Sequence, residues 1–218
     1  MFNIQKSFAD CSNCPLLSCP SCILETNYPD DLSKVEVVFV AENPGNKEIE
    51  QGAPLIGPSG QVFRSYFDRY FVKYFRYLLT NVVLCQTLKD NGTTGNPSWY
   101  VTDRCKSNCF EIIKHCNPNL IVVMGSSAMR AFGIAEAGIT KLRGKMYKWN
   151  NYNLFLTVHP SYVLRNGSYD LFEEDLQIAR NFLINQLIHL NKVLDQRKTS
   201  WVSILNSHFV FKENYEFI

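Results

Sequence analysis

Four short apolar runs separated by amphipathic stretches constrain this chain more than any other feature. They are Val35-Glu36-Val37-Val38-Phe39-Val40-Ala41, Asn81-Val82-Val83-Leu84-Cys85, Leu120-Ile121-Val122-Val123-Met124-Gly125 and Leu154-Phe155-Leu156-Thr157-Val158. Each is short, and turn residues bound them, so each reads as a buried strand. Between them, Pro58-Ser59-Gly60 opens a helical pattern over residues 62–79, and residues 103–115 form another, ended by Asn117-Pro118. Ser126-Ser127 stand where a cap for the next helix is expected, and residues 171–194 form a long amphipathic helix. The alternation predicts an α/β fold. It is a single-domain three-layer sandwich with a central, mainly four-stranded parallel sheet and helices on both faces. Ligands of such sheets bind beyond the carboxyl ends of the strands. The turns at residues 42–45, after Cys85 and at residues 159–165 are therefore expected to meet at one site.

Composition bounds the partners. The 218 residues are 46% hydrophobic, enough for one core and one domain. No apolar run is long enough to cross a bilayer, and the N-terminus lacks the pattern of a signal peptide. An intracellular, cytoplasmic protein is expected. The net charge is only +2, so nucleic-acid binding would need a local basic face or a small footprint. Residues 1–33 are irregular and rich in cysteine, so they need an external staple. Residues 200–218 form a C-terminal extension with room for a strand or two.

Eight cysteines in a reducing compartment call for metal ligation or simple burial. Cys11, Cys14, Cys19 and Cys22 form two Cys-x-x-Cys pairs that could hold a metal by themselves, though at spacings unlike zinc ribbons or ferredoxins. The other cysteines can be small core residues.

Five motifs in order carry a resemblance. Ala41-Glu42-Asn43-Pro44-Gly45 with Glu48 and residues 52–60 comes first, and Thr80-Asn81-Val82-Val83-Leu84-Cys85 second. The strand at residues 120–125, Lys141-Leu142-Arg143-Gly144-Lys145 and His159-Pro160-Ser161-Tyr162-Val163-Leu164-Arg165 complete the set. The order, running from about Cys11 to Arg180, resembles the uracil-DNA glycosylase superfamily, closest to its iron–sulfur family four. The resemblance implies a monofunctional DNA glycosylase. It also implies a 4Fe-4S cluster on Cys11, Cys14, Cys85 and Cys105, with zinc as the lesser alternative for four thiolates. Cys109 and Cys116 are expected in the core.

A glycosylase flips its target nucleotide into a pocket and reads the base edge. It needs a group to place water, a donor for the departing base and selective contacts. By the resemblance, Asn43 orients the water, since an amide offers both a donor and an acceptor. His159 donates to the leaving pyrimidine, a contribution of about 3–4 kcal/mol at the transition state. Asn81 reads the pyrimidine edge, Leu55 and Gly45 line the pocket, and Glu42 and Glu48 match acidic family positions. Asn-Pro-Gly is also an ordinary turn, Asn81 an ordinary strand-end residue, and His115, His189 and His208 lack motif context.

DNA contacts are expected from the backbone N–H groups of Ser59 and Gly60 and from Arg143, Ser161 and Arg165, with Lys141 and Lys145 adding charge. Tyr162, Val163 and Leu164 are candidates for a wedge in the vacated stack.

The chain departs from family four in three places. Asn43 replaces a small apolar residue, Leu55 replaces a stacking phenylalanine, and Gln86-Thr87-Leu88-Lys89-Asp90-Asn91 replaces an Arg-Pro-Pro-Gly-Asn-Arg pattern. Three readings follow beside plain uracil excision. One is a glycosylase for a bulky modified pyrimidine. Another is an inactive DNA-binding protein of the same fold. The last is a nucleotide-binding or metal-stapled interaction module. DNA is the expected partner, with no membrane, and a monomer suffices.

Overall fold

The computed structural model describes residues 11, 13–19, 21 and 24–194, the last five by backbone alone. Four parallel strands form the centre of the sheet: β2 (Val37–Ala41), β3 (Tyr77–Asn81), β4 (Leu120–Met124) and β6 (Tyr152–Thr157). Two strands absent from the sequence reading, β1 (Leu24–Thr26) and β5 (Met146–Trp149), pair antiparallel at the edges, giving the order β1-β3-β2-β4-β6-β5. Every residue of β2, β3 and β4 is buried, as a sheet covered on both faces requires.

The topology accounts for the layers. The connection from β2 to β3 runs one way across the sheet, through α1 (Asn46–Gln51) and α2 (Pro58–Phe67). Those from β3 through α3 (Trp99–Cys116) and from β4 through α4 (Ser126–Ala131) and α5 (Ile139–Leu142) run the other way. Right-handed crossovers in opposite directions place their helices on opposite faces. The last helices, α6 (Pro160–Asn166) and α7 (Tyr169–Leu194), return to pack on α2. The predicted three-layer α/β sandwich is therefore the one observed.

Several boundaries differ from expectation, α3 beginning at Trp99 rather than residue 103 among them. The helical pattern over residues 62–79 is cut short. α2 ends at Phe67 and runs into a π turn, Asp68–Val72, and the chain then enters β3. Phe63, Phe67 and Phe71 keep one face toward Phe39 of β2, with ring centroids 4.9–5.4 Å away. Phe75 continues that four-residue spacing although it lies beyond the helix, which is why periodicity overran the end. The second strand is correspondingly shifted, to Tyr77–Asn81 rather than residues 81–85. Asn81 thus ends its strand instead of opening it. Beyond it, the N–H groups of Val82 and Val83 donate to Ala41 O and Glu42 O, bending the run out of the ladder.

Within the segment expected to be irregular, β1 is tied down by tertiary contacts. Arg64 pairs with Glu25, and the Asn27 side chain bonds Tyr77 N–H and Phe75 O. The extension at residues 200–218 lies outside the described residues. Among the described residues no helix is long and apolar enough to cross a membrane.

Candidate active site

The crossovers leaving β2 and β4 go to opposite faces, and a crevice opens where they part. A cleft of about 400 Å³ lies there, lined by the loops that follow β2, β3 and β6. Asn43, Asn81 and His159 line the same cleft, as do Glu42, Gly45, Glu48, Leu55, Ser59, Ser161 and Arg165.

The first loop is held by Glu48. Its carboxylate accepts N–H bonds from Gly45 (3.1 Å), Ile56 (3.0 Å) and Gly57 (2.8 Å), folding residues 52–57 back over α1. A Cβ on Gly45 would stand 2.8 Å from Glu48 Oε2, so any larger residue would push this carboxylate aside. Both oxygens of Glu48 are thereby engaged with backbone, which makes it a clamp for the loop. Leu55 is buried with φ +56, and its backbone crosses Gly60 so closely that a Cβ there would meet Leu55 C at 2.1 Å. Gly60 is buried and absent from the cleft lining; its role is this crossing, whereas Ser59 faces the cleft.

Glu42 sits just past β2. Burial pushes its carboxyl above the usual range, against a hydrogen bond from Ser127 Oγ at 2.5 Å. Ser127 therefore spans the crevice, and the N-cap of α4 is Gly125 rather than a serine. Gly125 adopts φ +91, and a Cβ on it would stand 2.8 Å from His159 Cβ. Glycine lets the β4 loop pack directly under the histidine.

His159 caps α6 with its own ring. Nδ1 accepts from Ser161 N–H at 3.1 Å and lies 2.8 Å from Ser161 Oγ. A backbone N–H can only donate, so Nδ1 is the acceptor and the ring proton of the neutral form sits on Nε2. Burial, joined by Arg165 and opposed by Glu48, pushes the pKa down to about 4. The ring is thus a neutral donor on the cleft.

Asn81 is 2% exposed, and its Nδ2 has no hydrogen-bond partner among the described residues. An unmet buried donor costs about 1–3 kcal/mol, a cost a bound polar group relieves. Asn43 Nδ2 donates to Gly95 O at 3.2 Å, with Pro44 O at 3.5 Å.

Arg143 departs from its expected role. Its guanidinium turns to α7, where Nε donates to Asp175 Oδ2 (2.7 Å) and Nη2 to Leu171 O (3.0 Å) and Asp175 Oδ1. It braces β6 and α7 through Asp175, which also accepts from Thr157 (2.6 Å). Arg165, by contrast, is exposed at the cleft. Sequence reading missed Asn46, Thr94, Gly95 and Asn96, which also line the cleft. The last three lie in the polar segment between Cys85 and Trp99. Its Asn91-Gly92 pair was the available signal, since that dipeptide favours a tight hairpin turn.

A second, apolar cavity lies beside the cleft. Cys11, Cys14, Cys85 and Cys105 line it together with Leu16, Leu17, Val83, Leu84 and Val101. Cys19 is not in that lining, and Cys22 lies outside the described residues. Burial pushes the Cys105 thiol up, Leu84 N–H (3.5 Å) and Asn108 Nδ2 (3.8 Å) donate to its sulfur, and nearby Cys11 and Cys14 push it up again. Four thiols lining one apolar cavity are of the donor type that suits a positively charged metal centre. Cys109 and Cys116 are fully buried, with the Cys116 thiol pushed up to about 12, as core residues should be.

Known proteins give the family. The sequence model of the Uracil DNA glycosylase superfamily matches residues 29–183. A Type-4 uracil-DNA glycosylase of Thermotoga maritima is 30% identical over 186 residues, covering 83% of this chain and 93% of that protein. Those of Saccharolobus solfataricus (26% identical, 74% and 78% covered) and Sulfurisphaera tokodaii (25%, 91% and 92%) are also similar. Fold, motif order and cleft agree with that match, and the chain belongs to the uracil DNA glycosylase superfamily.

Proposed function

We propose that this protein excises uracil from DNA by hydrolysing the N-glycosidic bond, with Asn81, Asn43 and His159 as the working residues. The observation that carries the reading is Asn81 Nδ2, which has no hydrogen-bond partner among the described residues and is buried at a cleft that also holds Asn43 and His159. Uracil presents an O4 acceptor beside an N3–H donor. The Asn81 amide complements both, with Nδ2 donating to O4 and Oδ1 accepting from N3–H. A buried residue can meet only an extruded base, so the nucleotide is flipped into the cleft.

Water then adds to C1′ as the C1′–N1 bond breaks. The bonding pair leaves with the base, and the water proton is released to solvent. Asn43 Oδ1 accepts a hydrogen bond from that water and so orients it. The departing uracil carries its charge on O2 and O4. Nε2–H of neutral His159 donates to O2, stabilising the anion without surrendering the proton. Ser59 N–H and Arg165 contact flanking phosphates. Glu42 and Glu48 act behind these groups, Glu48 by holding the first loop in shape.

Cys11, Cys14, Cys85 and Cys105 would hold a 4Fe-4S cluster, tying the N-terminal segment to α3 and to the run after β3. Such a cluster would supply a cross-link, since base hydrolysis needs no electrons. The protein acts as one domain and a monomer, inside the cell.

The relatives above are named uracil-DNA glycosylases, which favours uracil over the readings of a bulky modified base or an inactive binder. The test is incubation with duplexes carrying uracil or hydroxymethyluracil, followed by alkali cleavage of abasic sites. Strand cleavage at uracil is expected, at a rate well above that for hydroxymethyluracil. Retained DNA binding with no cleavage at either base would overturn the proposal.

A further inference from the structure

Asn46 belongs to none of the motifs above, yet it links two loops of the site. It is the first residue of α1, and its Oδ1 accepts from Gln86 Nε2 at 2.6 Å and from Thr94 Oγ1 at 3.1 Å. Gln86 and Thr94 flank a small hairpin. Leu88 and Thr94 form an antiparallel bridge, Lys89 N–H donates to Thr93 O and Gly95 N–H donates to Thr87 O, both at 2.8 Å. The carbonyl that closes this hairpin, Gly95 O, takes the hydrogen bond from Asn43 Nδ2 at 3.2 Å.

That bond fixes a choice that the side chain cannot make alone. The terminal torsion of asparagine is broad and roughly two-fold, so the amide can present either its oxygen or its nitrogen. Here both near neighbours of Nδ2, Gly95 O and Pro44 O, are carbonyl oxygens, which accept and cannot donate. The nitrogen must face them, and Oδ1 is left for the cleft. Flipped, the amide would offer N–H groups to a water that has to give up a proton.

We propose that Asn46 is a positioning residue for base excision. It anchors the 86–95 hairpin so that the Gly95 carbonyl holds the Asn43 amide with its oxygen toward the attacking water. The inference rests on the glycosylase reading and on Asn43 as the water-orienting group. It also explains the polar stretch after Cys85, because the hairpin supplies the acceptor that makes an asparagine at residue 43 work.

The test is a double-mutant cycle in single-turnover excision from uracil duplexes. Asn46→Ala removes both hydrogen bonds and slows the chemical step by about tenfold, because small misplacements near reacting atoms cost factors of ten to a hundred. DNA affinity stays unchanged. Asn46→Asp keeps the acceptor and restores the rate. In an Asn43→Ala background, Asn46→Ala costs nothing further, since its effect runs through the missing amide. A second readout is independent of turnover. One Asn43 side-chain amide proton exchanges slowly with solvent in the wild type and in Asn46→Asp, and quickly in Asn46→Ala. Multiplicative rate losses, a loss in affinity instead of rate, or unaltered amide exchange in Asn46→Ala would overturn the positioning role alone. A wild type that cleaves no uracil duplex would overturn the glycosylase reading and this proposal with it.

Discussion

Replacing His159 with alanine tests the chemistry most directly. With a pKa of about 4, roughly one ring in a thousand is doubly protonated at neutral pH, so the working form is the neutral imidazole. Ser161 N–H on Nδ1 leaves the ring proton on Nε2. One such preorganised donor contributes about 2.7–4 kcal/mol, so His159→Ala should lower the single-turnover rate by about 10²–10³ with little change in DNA affinity. The wild-type to variant rate ratio should also be flat between about pH 5.5 and 8, because the ring does not titrate there. Stability responds in the same sense. The folded pKa lies below the ordinary 6.5, so the contribution is complete above that pH and is lost as pH falls toward 4. At pH 4.5 the wild type should have lost about 2–3 kcal/mol more than His159→Ala, read by urea unfolding of both at acid and neutral pH. An inflection near pH 6.5 present in the wild type and missing in the variant would refute the neutral-donor argument. So would a rate loss below about threefold.

Three further outcomes follow from other parts of the protein's site and frame, and a fourth from its cysteines. Asn81→Ala should slow uracil excision by about 5- to 150-fold, the cost of leaving uracil's polar edge unmatched. Its thermal midpoint should not fall, because Nδ2 has no partner to lose among the described residues. Asp175→Ala leaves the half-buried Arg143 guanidinium only Leu171 O and the exposed Glu174, and should cost about 1–3 kcal/mol, lowering the midpoint in scanning fluorimetry by roughly 2–12 °C. In DNA titrations at graded salt, Arg165→Ala should reduce the salt slope by about one, while Arg143→Ala leaves it unchanged. Serine at Cys14 or Cys105 should abolish the broad violet absorbance and bound iron of the purified protein, whereas Cys109→Ala should keep both.

The sheet was legible because burial on both faces writes itself as continuous apolar runs, and β2, β4 and β6 fall almost where those runs lie. β3 was misplaced because two apolar signals overlap. Phe67, Phe71 and Phe75 extend a helical spacing into residues that leave the helix, and Val82-Val83-Leu84 are buried without being strand. The edge strands were invisible for another reason. β1 is three residues long and is fixed by partners about fifty residues away, Phe75 and Tyr77, through Asn27.

The site divides along the same line. Groups that perform chemistry sit in short motifs at strand ends, and Asn43, Asn81 and His159 could be named from those motifs. Groups that set orientation are specified by contact, not by spacing. Gly95 O meets Asn43 across 52 residues, Ser127 meets Glu42 across 85, and Arg143 is turned from solvent by Asp175, 32 residues on. Nothing local to an arginine says whether it faces phosphate or carboxylate. The consequence is specific to residue 43. An asparagine there orients water only if an acceptor elsewhere fixes its flip, so the residue and the 86–95 hairpin form one functional unit. Grafting Asn43 alone into a relative that lacks the hairpin should therefore yield less activity than grafting both, and equal activity from the two grafts would separate them again.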